Sequence, residues 1–513
     1  MSVFDRIVDK VSDRFFGKSE AAATVAAASF PQLTDKGIKV RDGGMVTWVE
    51  PPPEFTATSQ QTAGLWPFCV GTSSPLVGAI LGRNLLNGSV VCGDPISLFL
   101  RGIISSPSGF ILGLNGRGKS SVAVRMALAL IDQGFLILVA GDLKPDFAGV
   151  VKETNGQIIR VAPGVGAINP LDAGPLWNRL GELEAPVQRQ MRAEIHSRRL
   201  STLTGLIELV FKEPLDAKKQ EQTVLSMAIG LAAETAENEG RQPLVADVVA
   251  AIKAKPVSIQ AALLIENEHE YLPQVKNLLA GLNALGEHGP FGDVFCQPTT
   301  EQMLMDKSVD FDISMIDESQ LMLRAAVQTV CWSYGQAGVS AAKTMADAGL
   351  MEERHHLMIM DELWQSLRAS ELLVHQIDAL TRLNRTKGLG QLMITHSMKD
   401  LLLSTDELTK IATGFVERSS VKILGGLAQN EMGLIETVFP VSEREKALLV
   451  GWSAEGSMNP NTGEVSPPPG RGRFMLKTGD EPGVPFRVNL TAGELKAHDT
   501  NKAWAAAQAK ANL

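Results

Sequence analysis

The stretch GFILGLNGRGKSSVAVRMALAL, Gly109 to Leu130, decides how this chain is read. A short apolar run enters a knot of glycines around one lysine and leaves as a helical pattern. Within it Gly113 to Ser120, GLNGRGKS, satisfies G-x-x-x-x-G-K-[ST] in the strand-to-helix setting the motif requires. Glycines let backbone N–H groups turn inward around phosphate oxygens, the Lys119 ammonium reaches the outer two phosphates, and the Ser120 hydroxyl suits a magnesium ion. Gly113, Asn115, Gly116, Arg117, Gly118, Lys119, Ser120 and Ser121 are therefore the expected ATP-binding residues, with ATP and Mg2+ as ligands. Arg117 stands where such loops often carry a small residue; its side chain is expected in solvent, on a phosphate or against a neighbouring subunit.

Hydrolysis at such a loop needs a second strand that delivers a metal-orienting carboxylate and a base for the water. LMIMDE provides both: Asp361 suits the magnesium shell beside Ser120, and Glu362 suits the attacking water. Asp361 follows Lys119 by 242 positions, far more than in compact kinase-like or GTPase-like P-loop proteins, so a large insertion lies between them. Downstream, QIDALTRLNRTKGLGQLMITHS sets Arg382 and Arg385 three apart on one helix face, ahead of a strand ending in Thr395 and His396. His396 is expected near the γ-phosphate as a sensor. Arg385 or Arg382 is expected to reach a neighbouring subunit's site and stabilise transition-state charge; charged helix faces are otherwise solvated.

The whole chain sets the frame. Its 513 residues exceed what one core usually serves. With 44% hydrophobic and 20% charged residues it has an ordinary globular composition, and a net charge of -9 gives no global attraction to nucleic acid or anionic lipid. Four scattered cysteines signal neither a zinc site nor a disulfide framework, which fits a reducing cytoplasm. No apolar run is long enough to span a bilayer, so membrane contact is expected to be peripheral.

Pattern changes along the chain suggest its parts. Residues 1–54 read as an amphipathic helix, with Phe4, Ile7, Val8, Val11 and Phe15 at helical spacing, followed by an Ala- and Pro-rich linker. Residues 55–108 read as a small β-rich region. Alternating strand and helix then build the first part of an ATPase domain over 109–175 and the second over 301–490, around a helical insertion at 176–300. Residues 491–513 read as a helical tail. Continuously apolar strands such as FLILVAGD and HLMIMDE are the mark of a mainly parallel sheet covered by helices on both faces, an α/β fold.

GDLKPDFAGVVKETNGQIIRVAPGVGAINPLDAG resembles the segment after the phosphate loop in conjugation and type IV secretion ATPases, the VirB-four and TraC-like branch of the HerA/FtsK superfamily. Asp142, Lys144, Asp146 and Phe147 match its D-x-K-x-[DE]-[YF] element; Asn169, Pro170, Leu171 and Asp172 match its N-P-L-D box. The similarity runs from about Leu98 to Leu490. It departs at His396, where the family usually has glutamine, and in a much reduced N-terminal domain. The resemblance implies a RecA-like P-loop fold and a homo-hexameric ring hydrolysing ATP at subunit interfaces. It places that ring on the cytoplasmic side of a bacterial inner membrane, with secretion or conjugation channel proteins as partners. DNA is a candidate partner, with Arg189, Arg192, Arg198 and Arg199 of the insertion as one candidate surface.

Three other readings are weighed. An ABC-type ATPase is disfavoured because SYGQAGVS is a poor imitation of the LSGGQ helix start, and LGGLAQ falls after the carboxylate strand. A HerA/FtsK-type translocase of double-stranded DNA is a nearer cousin. An ATP-binding scaffold with little turnover is the third, and the retained Glu362 weighs against it.

Overall fold

Apolar runs without polar alternation become the buried middle of one large sheet, as strands covered on both faces must. The computed structural model describes residues 33–34, 37–38, 74–265, 267–371, 373–382, 388–458 and 465–497. The amphipathic helix expected near the N-terminus, most of the linker and the tail beyond Ala497 lie outside them. The N-terminal unit, Met1–Cys69, contributes the antiparallel pair β1 (Leu33–Thr34) and β2 (Gly37–Ile38).

The second unit, Val70–Leu513, carries β3 (Ile80–Asn84), β4 (Val90–Cys92), β5 (Ser108–Leu112), β6 (Leu136–Asp142) and β7 (Gln157–Arg160). After a long helical stretch come β8 (Val309–Asp312), β9 (His356–Met360), β10 (Leu389–Thr395) and β11 (Val421–Leu424). A small hairpin, β12 (Ser457–Met458) with β13 (Val465–Ser466), precedes β14 (Arg473–Thr478) and β15 (Val484–Arg487). Eleven strands form one sheet in the order β4-β3-β15-β14-β11-β5-β10-β9-β6-β8-β7. From β11 to β7 all neighbours are parallel. From β4 to β11 they are antiparallel.

The described part of 55–108 carries β3 and β4, and β3 joins the main sheet by pairing with β15, Asn84 opposite Phe486 and Arg83 opposite Arg487. The segment also holds a helix, Pro95–Leu100, capped where the Asp94 carboxylate accepts from Ser97 N at 2.7 Å. Both ends of the second unit thus finish one sheet edge.

Helices cover the two faces as the alternation of side chains along each strand demands. The helix Lys119–Asp132 buries Val122, Met126 and Leu130 against Ile111, Ile359 and Leu392. On the other face the helix Leu321–Asp347 lies on Phe110, Leu138 and Met358. Gly335 permits that approach, since a Cβ there would sit 2.8 Å from Leu138 Cδ2. Among the described residues no helix is long and apolar enough to cross a membrane.

Between β7 and β8 the chain runs through helices including Ala185–Phe211, Glu221–Asn238, Val245–Lys253 and Glu268–Ala284, whose apolar residues continue the core of the second face. The Asn169–Asp172 turn is the joint. Asn169 Nδ2 donates to Pro243 O at 2.9 Å and its Oδ1 accepts from Leu171 N at 3.0 Å, while Asp172 Oδ1 accepts from Gly174 N at 2.8 Å. Arg199, 4% exposed, grips Leu171 O at 2.6 Å and Gln242 Oε1 at 2.9 Å, and Arg198 donates to Asp172 O.

The four arginines considered as one basic surface are therefore not one. Arg198 and Arg199 turn inward to the joint, Arg192 makes a two-pronged pair with Glu237 at 2.7 Å, and Arg189 stays exposed. Removing Arg199 leaves a buried carbonyl without its charged donor. Arg199→Ala is expected to lower stability by about 2 kcal/mol in urea unfolding, whereas Arg189→Ala is expected to change it by less than about 0.5 kcal/mol; equal effects would refute the inward assignment.

Candidate nucleotide site

β5 ends at Leu112, and the loop after it lies tight against the chain beyond β11. A Cβ on Gly113 would meet Gly425 Cα at 3.1 Å, and the contact is tied by Gly425 N donating to Leu112 O at 2.7 Å and Leu114 N to Gly426 O at 3.0 Å. Gly116 (φ 72°) and Gly118 (φ 95°) adopt the left-handed region that glycine enters without strain. Gly118 then caps the helix that starts at Lys119, whose first turn presents unpaired N–H groups and a positive dipole end. Ser120 and Ser121 occupy that turn and are half-buried.

Arg117 turns neither to solvent nor toward the phosphate cradle. Its side chain is buried, with Nη2 donating to Ser453 O at 2.8 Å and to Glu455 Oε1 at 2.9 Å, while its carbonyl accepts from Gly472 N at 3.0 Å. The guanidinium tethers the loop to the C-terminal part of the chain instead of facing solvent or phosphate.

Strand register brings the other groups to the same edge. β10 lies between β5 and β9, with Thr395 opposite Leu112 and Met393 opposite Met360. His396 therefore leaves β10 beside the glycine loop, and Asp361 and Glu362 leave β9 on its other side. Lys119 Nζ lies 2.7 Å from His396 Nδ1, and His396 Nε2 lies 2.7 Å from Glu362 Oε2. An ammonium only donates, so Nδ1 accepts and the ring carries its proton on Nε2 toward the carboxylate. Weaker contacts from Lys119 Nζ reach Leu114 O and Asn115 Oδ1, both at 3.4 Å.

Glu362 is held from three directions. Besides His396, Lys144 Nζ donates to its Oε1 at 3.0 Å and Trp364 Nε1 to its Oε2 at 2.5 Å. Its backbone has φ 52°, a left-handed conformation that a side-chain-bearing residue adopts at a cost of about 1 kcal/mol. Lys144 arrives through its own short turn: Asp142 Oδ1 accepts from Lys144 N at 3.2 Å, Oδ2 accepts from Phe147 N at 2.8 Å, and the Phe147 ring is fully buried. The DLKPDF turn thus brings an ammonium onto Glu362. Sequence reasoning missed Lys144 and Trp364 as site residues, although the quoted element contained the first.

The environment sorts the charges. Burial lowers Lys119 to about 8, against the pull of Glu362 and Asp361. Burial and the neighbouring Glu362 charge push Asp361 up to about 7. Burial alone would raise Glu362 as well, but its hydrogen bonds with His396 and Lys144, together with the Lys144 charge, outweigh it and hold it at about 2.

The residues fit a magnesium nucleotide. Asp361 uses Oδ1 to accept from Glu362 N at 2.8 Å and resists ionising without a cation near it. Nothing lies within 4 Å of a Cβ built on Gly116, so the glycine cradle is open there. Among the described residues no cluster of three His, Cys, Asp or Glu could hold a metal by itself; magnesium beside a nucleotide uses one or two protein groups and phosphate oxygens. Arg382 ends the helix Leu373–Arg382, and Arg385 lies outside the described residues.

No protein-family model and no curated relative matches the sequence. Among solved structures, VirB4 of Thermoanaerobacter pseudethanolicus superposes with a TM-score of 0.60 at 16% identity, over 83% of this chain and 100% of that one. The conjugative coupling protein TrwB, in complex with ADP and Mg2+, gives 0.43 at 12% identity over 76% and 88%. The chain has the RecA-like P-loop fold, a mostly parallel sheet covered by helices.

The raised Asp361 carboxyl gives a signed expectation. Its folded value of about 7 exceeds the ordinary 3.8, so the folded state binds the proton more tightly. The cost of ionising it grows as pH rises from about 4 to 7 and is complete above that. Asp361→Asn is expected to raise the melting temperature of nucleotide-free protein at pH 8 and to lose that advantage as pH falls toward 4. A constant shift at all pH values would contradict it.

Proposed function

We propose that this chain is a ring-forming P-loop motor that hydrolyses ATP with Mg2+ and energises conjugative transfer or type IV secretion, through channel assembly or substrate export. The observation that carries the reading is the continuous contact from Lys119 through His396 to Glu362, because it joins a phosphate-loop ammonium to a carboxylate suited to water activation. The fold shared with VirB4 agrees with it.

ATP bound with Mg2+ supplies the transferable phosphoryl group and the cation that offsets its charge. Lys119 and the first-turn N–H groups bind the phosphates, and Ser120 and Asp361 hold the cation. When Lys119 turns to a phosphate oxygen it gives up His396 Nδ1, and the imidazole becomes free to sense the outermost phosphate. Glu362, released from part of its present grip, orients the water and takes its proton. Arg385 or Arg382 completes the site from a neighbouring subunit of a homo-hexamer, whose partners are channel proteins at the cytoplasmic face of the inner membrane. DNA remains a candidate substrate of the machine, through a surface other than the four insertion arginines.

One observation favours a second reading, a nucleotide-dependent scaffold with little turnover: every contact to Glu362 comes from a group that opposes its acting as a base. Turnover separates the two. Lys119→Ala is expected to lose ATP binding, and Glu362→Gln to keep it while kcat falls by about 100-fold or more. Equal rates for Glu362→Gln and wild type would leave the scaffold. Light scattering is expected to give a hexamer mass with ATP, and a strict monomer would remove the trans arginines.

A further inference from the structure

The two oxygens of Glu362 are held in different ways. Oε2 accepts from His396 Nε2 at 2.7 Å and from Trp364 Nε1 at 2.5 Å. Both donors are rings packed on each other, with centroids 5.7 Å apart, and Arg368 lies over the indole at 4.6 Å. Oε1 has one partner among the described residues, Lys144 Nζ at 3.0 Å. An ionised carboxylate offers about four lone-pair sites; two stacked rings occupy Oε2, and a single ammonium covers Oε1.

That ammonium is the exposed member of the group. The Lys144 side chain is 58% exposed, against 7% for Glu362 and 19% for His396. Its backbone is fixed: the buried Asp142 carboxylate accepts from Lys144 N and Phe147 N, Phe147 is fully buried, and Pro145 locks one torsion between them. The charge rides on a flexible four-carbon stem, so Nζ can leave Oε1 by side-chain rotation alone. Asp361 and Asp146 also attract it, which gives a displaced ammonium other carboxylates to follow. In the sheet order β5-β10-β9-β6, Lys144 stands at the far end of a row that starts at Lys119 and runs through His396 and Glu362.

We propose that Lys144 is a latch on the base: Oε1 is the oxygen that takes the water proton, and the Lys144 ammonium blocks it until the side chain swings away. The inference rests on the proposed hydrolytic role of Glu362. In the step it gates, the water proton passes to Oε1 while the water oxygen bonds the γ-phosphorus and the bond from that phosphorus to the ADP oxygen breaks. His396 and Trp364 stay on Oε2 and keep the carboxylate oriented. Lys144 acts through Glu362 and is a positioning residue, with an effect opposite in sign to that of an ordinary orienting contact: its removal speeds turnover.

Steady-state hydrolysis of Mg-ATP by the full chain tests this. Lys144→Met nearly keeps the length of an exposed side chain and removes its charge; it is expected to raise kcat about fivefold with KM changed less than about twofold. Lys144→Arg restores a cation and is expected to bring kcat back to within about twofold of wild type. Adding Glu362→Gln to Lys144→Met is expected to abolish the gain, since the latch acts only through that carboxylate. A kcat for Lys144→Met equal to or below that of wild type overturns the latch, as does a gain that survives Glu362→Gln or a Lys144→Arg rate matching Lys144→Met. In each of these cases, wild-type turnover that is lost in Glu362→Gln leaves the base assignment standing. Turnover of wild type and Lys144→Met no greater than that of Glu362→Gln removes the base and the latch together.

Discussion

The alignment of three buried strands governs where every charged group of this site lands. With Thr395 level with Leu112 and Met393 level with Met360, the ends of β5, β10 and β9 stop at one edge. A one-residue slip would turn each strand's side chains to the opposite face. The packing resists it from both sides, with Ile111, Leu392 and Ile359 in one core and Phe110, Met393 and Met358 in the other. Hydrophobic burial thus sets the distances at which an ammonium, an imidazole and two carboxylates meet.

Those distances surround Glu362 with donors. A carboxylate held at about 2 by His396 and Lys144 is well solvated by protein groups and correspondingly weak as a base. Lys119, in the same chain of contacts, spends its shortest one on an imidazole. Phosphate oxygens compete for that ammonium more strongly than a neutral ring does. In the proposed function, occupancy of the loop and the state of Glu362 are coupled through His396, the residue that touches both Lys119 and Glu362.

Much of this was legible because it is local. The glycine loop is punctuated by its own strand and helix, and Asp361, Glu362 and His396 each follow an apolar run that had to end at a sheet edge. What was hidden needs contacts between distant parts of the chain. Lys144 meets Glu362 across 218 positions, and Arg117 turns to Ser453 across 336. Arg198 and Arg199 looked like a charged helix face because Ala185–Phe211 has little amphipathic contrast; only the carbonyls of Leu171 and Asp172 show which way they point. The edge formed by β3 and β15 was likewise out of reach, since strand pairing between opposite ends of a unit leaves no trace in either segment.

Arg117 has a mechanical meaning. One residue in the middle of the glycine loop is fastened by its side chain to Ser453 and Glu455 and by its carbonyl to Gly472. The loop cannot change shape alone: displacement of its crest pulls on two stations of the C-terminal ribbon at once, as a crank pulls on paired rods. A shift of the loop is thereby passed to the chain that leads into β14, two strands away in the sheet.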